Sequence, residues 1–147
     1  MSVSTVPTAL DALVTGLTAA LPDVQVVDGQ PVSTEGDVIC IGFGGVPGEP
    51  AVESTRTREQ LAREPDREQY DIACLASSWS GDTDAKTVRD RAYELVDAAA
   101  DVLAADDTLG GVVMEARITT DSLTQEQTAE GAVATVRFIV HADAFTS

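Results

Sequence analysis

Apolar residues recur along this chain with two spacings, one typical of strands and one typical of helices. The two patterns meet between residues 70 and 103. Residues 70–79 hold aromatic and aliphatic side chains without Gly or Pro, which predicts a strand, and the turn Ser80–Asp84 follows. Apolar residues then recur every three or four positions, which predicts a long helix with one buried stripe. The stripe contains Val88, Ala92, Leu95, Val96, Ala99, Val102 and Leu103.

The segments before this unit predict a helix and two strands. A helix is expected over Pro7–Leu21, because leucines and valines recur on one face and Thr5 can cap its first turn. Val24–Val27 is a short strand that ends at an Asp-Gly turn. Val38–Phe43 is almost continuously apolar, which is typical of a central strand covered on both faces.

Two strands with alternating patterns are predicted at the end of the sequence, over Val112–Asp121 and Ala132–Ala142. In the second strand the apolar set faces one way, and Thr135, Arg137 and His141 face the other. The apolar set is Ala132, Ala134, Val136, Phe138 and Val140.

Two connections are longer than compact folds normally use. Gly44–Arg67 is irregular and rich in Gly and Pro, with a short helix suggested around Glu59–Arg63. Ser122–Gly131 reads as a polar tip longer than a tight hairpin needs. We expect both to be contact elements, because long ordered loops are usually functional.

These elements predict an α+β fold with the order α-β-β-β-α-β-β. The simplest packing of these elements is a two-layer sandwich, with a mainly antiparallel sheet and two helices on one face. Residues 1–147 are expected to form a single domain. The second face of the sheet is semi-polar, so it is either exposed or covered by another subunit.

The chain carries 25 acidic and 9 basic residues, a formal net charge of −16. Such a surface repels nucleic acid and anionic lipid, so specific nucleic-acid binding and membrane binding are not expected. No secretory signal or run of transmembrane length is seen. Cys40 and Cys74, the only cysteines, lie in strand patterns and are expected to be reduced, with a cross-strand disulfide as the alternative.

Catalytic and cofactor signals are weak throughout. The sequence Gly42-Phe-Gly44-Gly45 follows a strand, but prolines replace the helix that a phosphate loop requires. Asp82 and Asp84 lie where N-caps are common, and His141 is the only histidine. No metal, no cofactor and no enzymatic activity are expected.

Two charge clusters and one tryptophan are the candidate contact residues. Asp90, Glu94, Asp97 and Asp101 share one face of the long helix, which is either a solvated face or the wall of a channel. Arg56, Arg58, Arg63 and Arg67 either form local salt bridges with neighbouring Glu59, Glu64 and Glu68 or dock onto an acidic neighbour. Trp79 ends a strand and is expected to be buried, in the core or at a subunit interface.

Several short segments resemble the tail terminator proteins of long-tailed bacteriophages of actinobacterial hosts. The similarity spans nearly the whole chain. It is carried by Leu-Thr-Ala-Ala-Leu-Pro22, Val24-Gln-Val-Val-Asp-Gly29, Asp37-Val-Ile-Cys-Ile-Gly-Phe43, Arg67-Glu-Gln-Tyr-Asp-Ile-Ala-Cys74, Ser78-Trp-Ser-Gly-Asp-Thr-Asp84, Leu123-Thr-Gln-Glu-Gln127 and Gly131-Ala-Val-Ala-Thr-Val-Arg-Phe138.

The resemblance implies a virion protein that forms a six-membered ring at the head–tail junction, made in the host bacterial cytoplasm. Such a ring caps the head-proximal end of the tail tube, ends tube polymerisation and joins the tail to the head connector. Its implied partners are other copies of itself, the tail tube protein and the connector protein, with DNA passing through without specific binding. Gln125, Glu126 and Gln127, at the polar tip, join the interface candidates. The alternatives are a head completion or connector ring subunit and, from a different class, a small cytoplasmic ligand-binding domain.

Overall fold

The computed structural model describes residues 3–31, 36–57, 66–82 and 84–146, and these residues form two helices and six strands. In chain order the elements are α1 (Val6–Ala20), β1 (Gln25–Asp28), β2 (Asp37–Ile41), β3 (Val52–Thr57), β4 (Asp66–Ser80), α2 (Ala85–Ala105), β5 (Glu115–Thr128) and β6 (Gly131–Thr146).

All six strands join one sheet with the order β1-β2-β4-β6-β5. β4 and β6 form its centre, an antiparallel pair that runs from Asp66 opposite Thr146 to Ser80 opposite Ala132. The other edge of β4 is shared, because β3 pairs with its first half and β2 with its second half. Only β1 and β2 run parallel, so the predicted α+β class with a mainly antiparallel sheet is confirmed.

Both helices pack on the same face of the sheet, as predicted. α1 lies over β1 and β2, α2 lies over β4, β5 and β6, and the helices contact each other. The core between the layers contains Leu13 and Leu17 of α1, Leu95 of α2, and alternate residues of the central strands. On β6 these alternate residues are Ala132, Ala134, Val136, Phe138, Val140, Ala142 and Ala144, which confirms the predicted facing of this strand.

Two glycines permit close approaches, one between the helices and one between the ends of β4 and β6. An added Cβ at Gly16 of α1 would lie 3.0 Å from Cγ1 of Val102 on α2. Gly131 at the start of β6 has φ +154°, and a Cβ there would lie 2.3 Å from the backbone oxygen of Ser80. A side chain at position 131 would therefore force the ends of β4 and β6 apart.

A buried carboxylate fastens the start of α1 to the sheet. Glu68 of β4 is only 2% exposed, and its Oε1 accepts hydrogen bonds from the backbone N–H (2.8 Å) and the hydroxyl (2.7 Å) of Thr5. Its Oε2 accepts from the hydroxyls of Ser4 (2.6 Å) and Ser54 (3.4 Å). Thr5 occupies the predicted cap position, but its side chain does not cap the helix, because it bonds to Glu68 and Tyr70 instead.

The start of α2 is capped as the sequence predicts. Asp84 is the N-cap residue, and its carboxylate accepts hydrogen bonds from the backbone N–H of Lys86 and from the backbone N–H and hydroxyl of Thr87. Farther along the helix, Arg91 donates to Asp37 of β2 at 2.7 Å, and Ser78 donates to the other oxygen of that carboxylate. Of the two aspartates predicted as possible caps, Asp82 and Asp84, the structure assigns the cap to Asp84.

Two predictions of irregular structure were wrong. Val52–Thr57 forms β3, which brings the strand number to six, because its backbone pairs with β4 although its side chains are mostly exposed. The polar tip Ser122–Gly131 is a tight hairpin, with β5 and β6 paired as far as Thr128 and Gly131. β5 begins at Glu115 and not at Val112, and the helix suggested around Glu59–Arg63 lies outside the described residues.

Both cysteines are buried free thiols, so the alternative of a disulfide is wrong. Cys40 is paired in register with Leu75 and Cys74 with Ile41, which places the two thiols on opposite faces of the sheet. Burial raises the pKa of Cys40 to about 11 and that of Cys74 to about 12. Both therefore behave as small apolar side chains at neutral pH.

Candidate assembly surface

The face of the sheet that the helices leave uncovered mixes apolar and polar side chains. On β6 it presents Val133, Thr135, Arg137, Ile139, His141, Asp143 and Phe145, and on β4 Arg67, Gln69, Asp71, Ala73, Leu75, Ser77 and Trp79. This surface, called the open face below, follows from strand alternation, since each of these residues neighbours in sequence a buried residue on the helix side.

One end of the open face forms an apolar depression, called the cup below. Its volume is about 590 Å³, and its apolar lining includes Val38, Phe43, Leu75, Trp79 and Val133. The loops after β1 and β2 form its rim. Val38, Cys40 and Leu75 are buried beneath this region with Val27 and Phe43, forming a small second core on this side of the sheet. The cup is therefore a built part of the fold.

Of the residues that the structure describes, Arg137 is the only charged side chain that lines the cup. Its Nε donates to the backbone oxygen of Gly44 at 3.0 Å, and a terminal nitrogen donates to the hydroxyl of Thr124 at 3.2 Å. Gly45 lies directly over it with φ +96°, and a Cβ at this position would lie 2.9 Å from Nε of Arg137. Gly44 and Gly45 follow a strand, as the glycines of a phosphate loop would. In this protein they let a loop close over an arginine side chain.

The opposite end of the open face is polar except for its last aromatic residue. Asp71 and His141 are neighbours across the strands, with 2.7 Å between carboxylate oxygen and Nδ1. Arg67 donates twice to Asp143, at 3.2 and 2.9 Å, and these bonds are the main reason that the pKa of Asp143 lies below its usual value. Beyond them Phe145 is 48% exposed.

Trp79 does not belong to the core, so that part of its prediction is wrong. It is 39% exposed, because its position on β4 faces away from the helices, opposite Val133. Its side chain forms one wall of the cup. Burial by a neighbouring subunit stays a prediction.

Of the four arginines proposed as docking residues, the two that the structure describes make contacts within the chain. Arg56 donates to the backbone oxygen of Val3 at 2.8 Å and lies 3.6 Å from the carboxylate of Asp66. Arg67 pairs with Asp143, as described above. Arg58 and Arg63 lie outside the described residues. The partners that the structure describes are the backbone oxygen of Val3 and the carboxylates of Asp66 and Asp143, while Glu59 and Glu64 lie outside the described residues.

The polar residues near the end of β5 are separated by strand alternation. Gln125 faces α2, where its amide donates to the backbone oxygen of Ala85 at 2.8 Å and its oxygen accepts from Arg89. Glu126 is paired in register with Val133, at the border of the open face, and Gln127 is paired with Ala132. Glu126 and Gln127 are exposed. Gln125 therefore holds the hairpin against the helix.

The four acidic residues of α2 lie on the outer side of the helix layer and all are exposed. Two of them have basic partners on the same helix, since Asp90 pairs with Lys86 and Glu94 with Arg91. No ion pair within the described ranges involves Asp97 or Asp101. The structure thus places these carboxylates together, on the side opposite the open face.

Sequence reasoning missed the cup and Phe145. The signal that could have found them is period-two alternation in β6, where Val133, Ile139 and Phe145 recur among polar residues on the face opposite the core. Phe145 could have been placed on this face only if the predicted strand had been extended beyond Ala142. The loop that completes the cup could not be read from sequence, because a contact with Arg137 joins residues 93 positions apart.

The part of the chain that the structure describes contains neither a cluster of metal-ligand side chains nor a helix suited to cross a membrane. No three His, Cys, Asp or Glu side chains come together as ligands of a metal ion would. No helix there has both the length and the apolar character needed to cross a membrane.

The similarity of this chain to known proteins is confined to solved structures. No family model matches the chain, and no curated protein matches it. Among solved structures, the chain is similar to one from the "Virion of native gene transfer agent (GTA) particle". The two share 9% sequence identity and a TM-score of 0.48, over 98% of this chain and 99% of that chain. A likeness at this level carries no conclusion about function.

Proposed function

We propose that this protein is a virion structural subunit, and specifically a tail terminator that assembles as a ring at the head-proximal end of a phage tail. The observation that carries the proposal is the open face, a sheet surface with an apolar cup that no element of the described chain covers. Contiguous exposed apolar surface marks interaction sites in soluble proteins. The sequence resemblance supplies the kind of assembly, a six-membered ring with the tail tube and head connector as partners.

The distribution of charge agrees with this role. The acidic residues of α2 lie on the side opposite the open face, so subunits that associate through the open face keep these carboxylates away from the contact. A ring surface of this kind that faced DNA would repel phosphates and let the duplex pass. We propose Asp90, Glu94, Asp97 and Asp101 as candidates for that surface.

The ring is tested by light scattering and electron microscopy of the purified protein. Six copies of a 15.3 kDa chain give about 92 kDa. Because every copy is strongly acidic, assembly should strengthen as salt rises from about 0.05 to 0.5 M. A stable assembly with another rotational symmetry would contradict the six-membered ring.

The role in tail assembly is tested by deleting the coding sequence from the phage genome that carries it. Loss of a terminator should give overlong tails that do not join heads, and the wild-type protein supplied in trans should restore normal length. Tails of normal length without heads would instead favour the head completion or connector subunit. Unchanged virions would contradict both.

A small-ligand binding domain is the second candidate, because the volume of the cup lies within the range of ligand pockets, about 300–1,000 Å³. Such sites hold several convergent polar groups. The one charged group that the described residues bring to the cup is Arg137, and it already bonds to Gly44 and Thr124. A thermal-shift screen with small carboxylates would raise the melting temperature if this candidate were correct, and assembly would then be unaffected by substitutions in the cup.

A further inference from the structure

The cup differs in charge from the rest of the molecule. Among the described residues, its lining contains one cation, Arg137, and no carboxylate, although the chain as a whole carries −16. Arg137 makes no ion pair with a carboxylate in the described residues; its partners are the Gly44 backbone and the Thr124 hydroxyl. An acidic partner is therefore attracted to this place while most of the surface repels it. Any other copy of this chain is an acidic partner of this kind.

The same face carries an aromatic side chain at its other end. Phe145 is 48% exposed and lies in register with Arg67 on β4, whereas Val133 of the cup lies in register with Trp79. Twelve strand residues separate the two positions, roughly 40 Å at about 3.3 Å per residue. Phe145 therefore cannot reach the cup of its own chain.

We infer that Phe145 of one copy binds in the cup of the next copy, so that the subunits associate head to tail. The inference rests on the proposed assembly role and names the contact that would carry it. A Phe side chain buries about 150–250 Å² and fits a depression of about 590 Å³ with an aromatic wall. Asp143, two residues before Phe145 on the same face, is bonded to Arg67 of its own chain and would approach Arg137 of the neighbouring copy with that pair intact.

The separation of the two patches decides the type of assembly. Each copy offers one cup and one Phe145, far apart, so a single contact between two copies leaves one cup and one Phe145 unused. Further copies can then add until the chain of subunits closes on itself, which is how heterologous contacts generate rings.

Two single substitutions test the contact, Phe145→Asp and Trp79→Asp. Each alone should weaken self-association by about 30-fold or more, the effect of losing an interface hot spot. An equimolar mixture of the two variants should form a dimer of about 31 kDa and nothing larger, because only one intact Phe145 can meet one intact cup. Sedimentation velocity at several concentrations separates these species.

Leu123→Asp is the matched control. Leu123 is exposed to a similar extent, but it lies on β5 in register with the core residue Val136, on the helix side of the sheet. This variant should assemble like the wild type, and circular dichroism should show that all three variants are folded.

Three results would overturn the inference: Phe145→Asp assembling like the wild type, the mixture remaining monomeric, or the wild type not growing beyond a dimer. Failure of the proposed function is distinguishable, because it is read from tail length in the phage. Normal tails after gene deletion, together with the dimer in the mixture, would leave the contact standing and remove the terminator role.

Discussion

The two faces of the central β4–β6 pair share one backbone but differ in every other respect. The helix side is a continuous apolar surface of buried residues, among them Phe138, Val136 and Ile72. The open side alternates apolar residues with ion pairs such as Arg67–Asp143. The difference follows from the covering layer, because strand alternation delivers half of the side chains to each face whatever lies there. The helix side therefore supplies most of the stabilising burial, and the open side supplies exposed side chains that a partner can contact.

The largest loss of stability is expected for Phe138, on the helix side of β6, and the matched comparison is its neighbour Ile139 on the open face. Phe138→Ala should lower the free energy of unfolding by about 3–5 kcal/mol, since it leaves a cavity beneath the helices. Ile139→Ala, one residue later on the open face, should cost much less, about 1 kcal/mol, because the site is partly exposed. Urea denaturation of the two variants measures the contrast, and equal losses would show that the open face is buried in solution.

A second test concerns Glu68, whose carboxylate is buried on the helix side. Glu68→Gln should lower the free energy of unfolding by about 1–3 kcal/mol at pH 7, because the amide replaces an acceptor of several hydrogen bonds by a group that is half donor. Ser54→Ala removes only a long bond of 3.4 Å to the same group and serves as the control, with a smaller loss. Thermal unfolding measures both.

The same carboxylate predicts a pH dependence. Burial alone would raise the pKa of Glu68, but the hydrogen bonds from Ser4, Thr5 and Ser54 outweigh it, so its pKa lies below the usual 4.5. The unfolded chain then binds more protons, so the stabilisation is complete above pH 4.5 and is lost as pH falls through the lowered value. The difference in unfolding free energy between wild type and Glu68→Gln should therefore shrink in acid. A constant difference from pH 7 to pH 3 would contradict this account.

The loop over the open face gives a smaller effect. Gly45→Ala should cost about 1–2 kcal/mol, because φ +96° strains any residue with a Cβ and the added atom meets Arg137. Gly48→Ala is the matched control, since its φ is also positive but no atom lies within 4 Å of an added Cβ. If the two variants unfold alike, backbone strain alone explains the loss and Arg137 does not hold the loop.

The smallest effect is expected on the outer surface of the helix layer. Asp97→Asn should raise the free energy of unfolding by a few tenths of a kcal/mol, because it removes a like-charge pair with Asp101 worth about 0.2–0.5 kcal/mol. The gain should vanish near 1 M salt, where surface charges are screened. A loss of stability in its place would indicate that Asp97 has a partner in the folded protein.

The helix side of the fold could be predicted from sequence, and the open side could be predicted only in part. The stripe of α2 and the alternation of β6 are periodic, so Leu95 and Val136 were assigned to the core correctly. β3 was missed, because its exposed polar residues are held by backbone pairing and leave no hydrophobic pattern. For Trp79 the core alternative was wrong and the interface alternative stays a prediction, since aromatic character alone does not say which face a strand residue occupies.

The position of β6 has a consequence for how the protein is made. It is the last strand along the chain, yet it lies between β4 and β5 and pairs with both. The sheet cannot close around its centre until residues 131–146 have left the ribosome, and until then β4 presents a bare hydrogen-bonding edge. A chain cut short before β6 lacks Val133, Thr135 and Arg137 of the cup, Phe145, and the strand that joins β4 to β5. The chain therefore becomes able to fold and able to assemble at the same stage of its synthesis. Incomplete chains are thus kept out of any assembly that uses the open face.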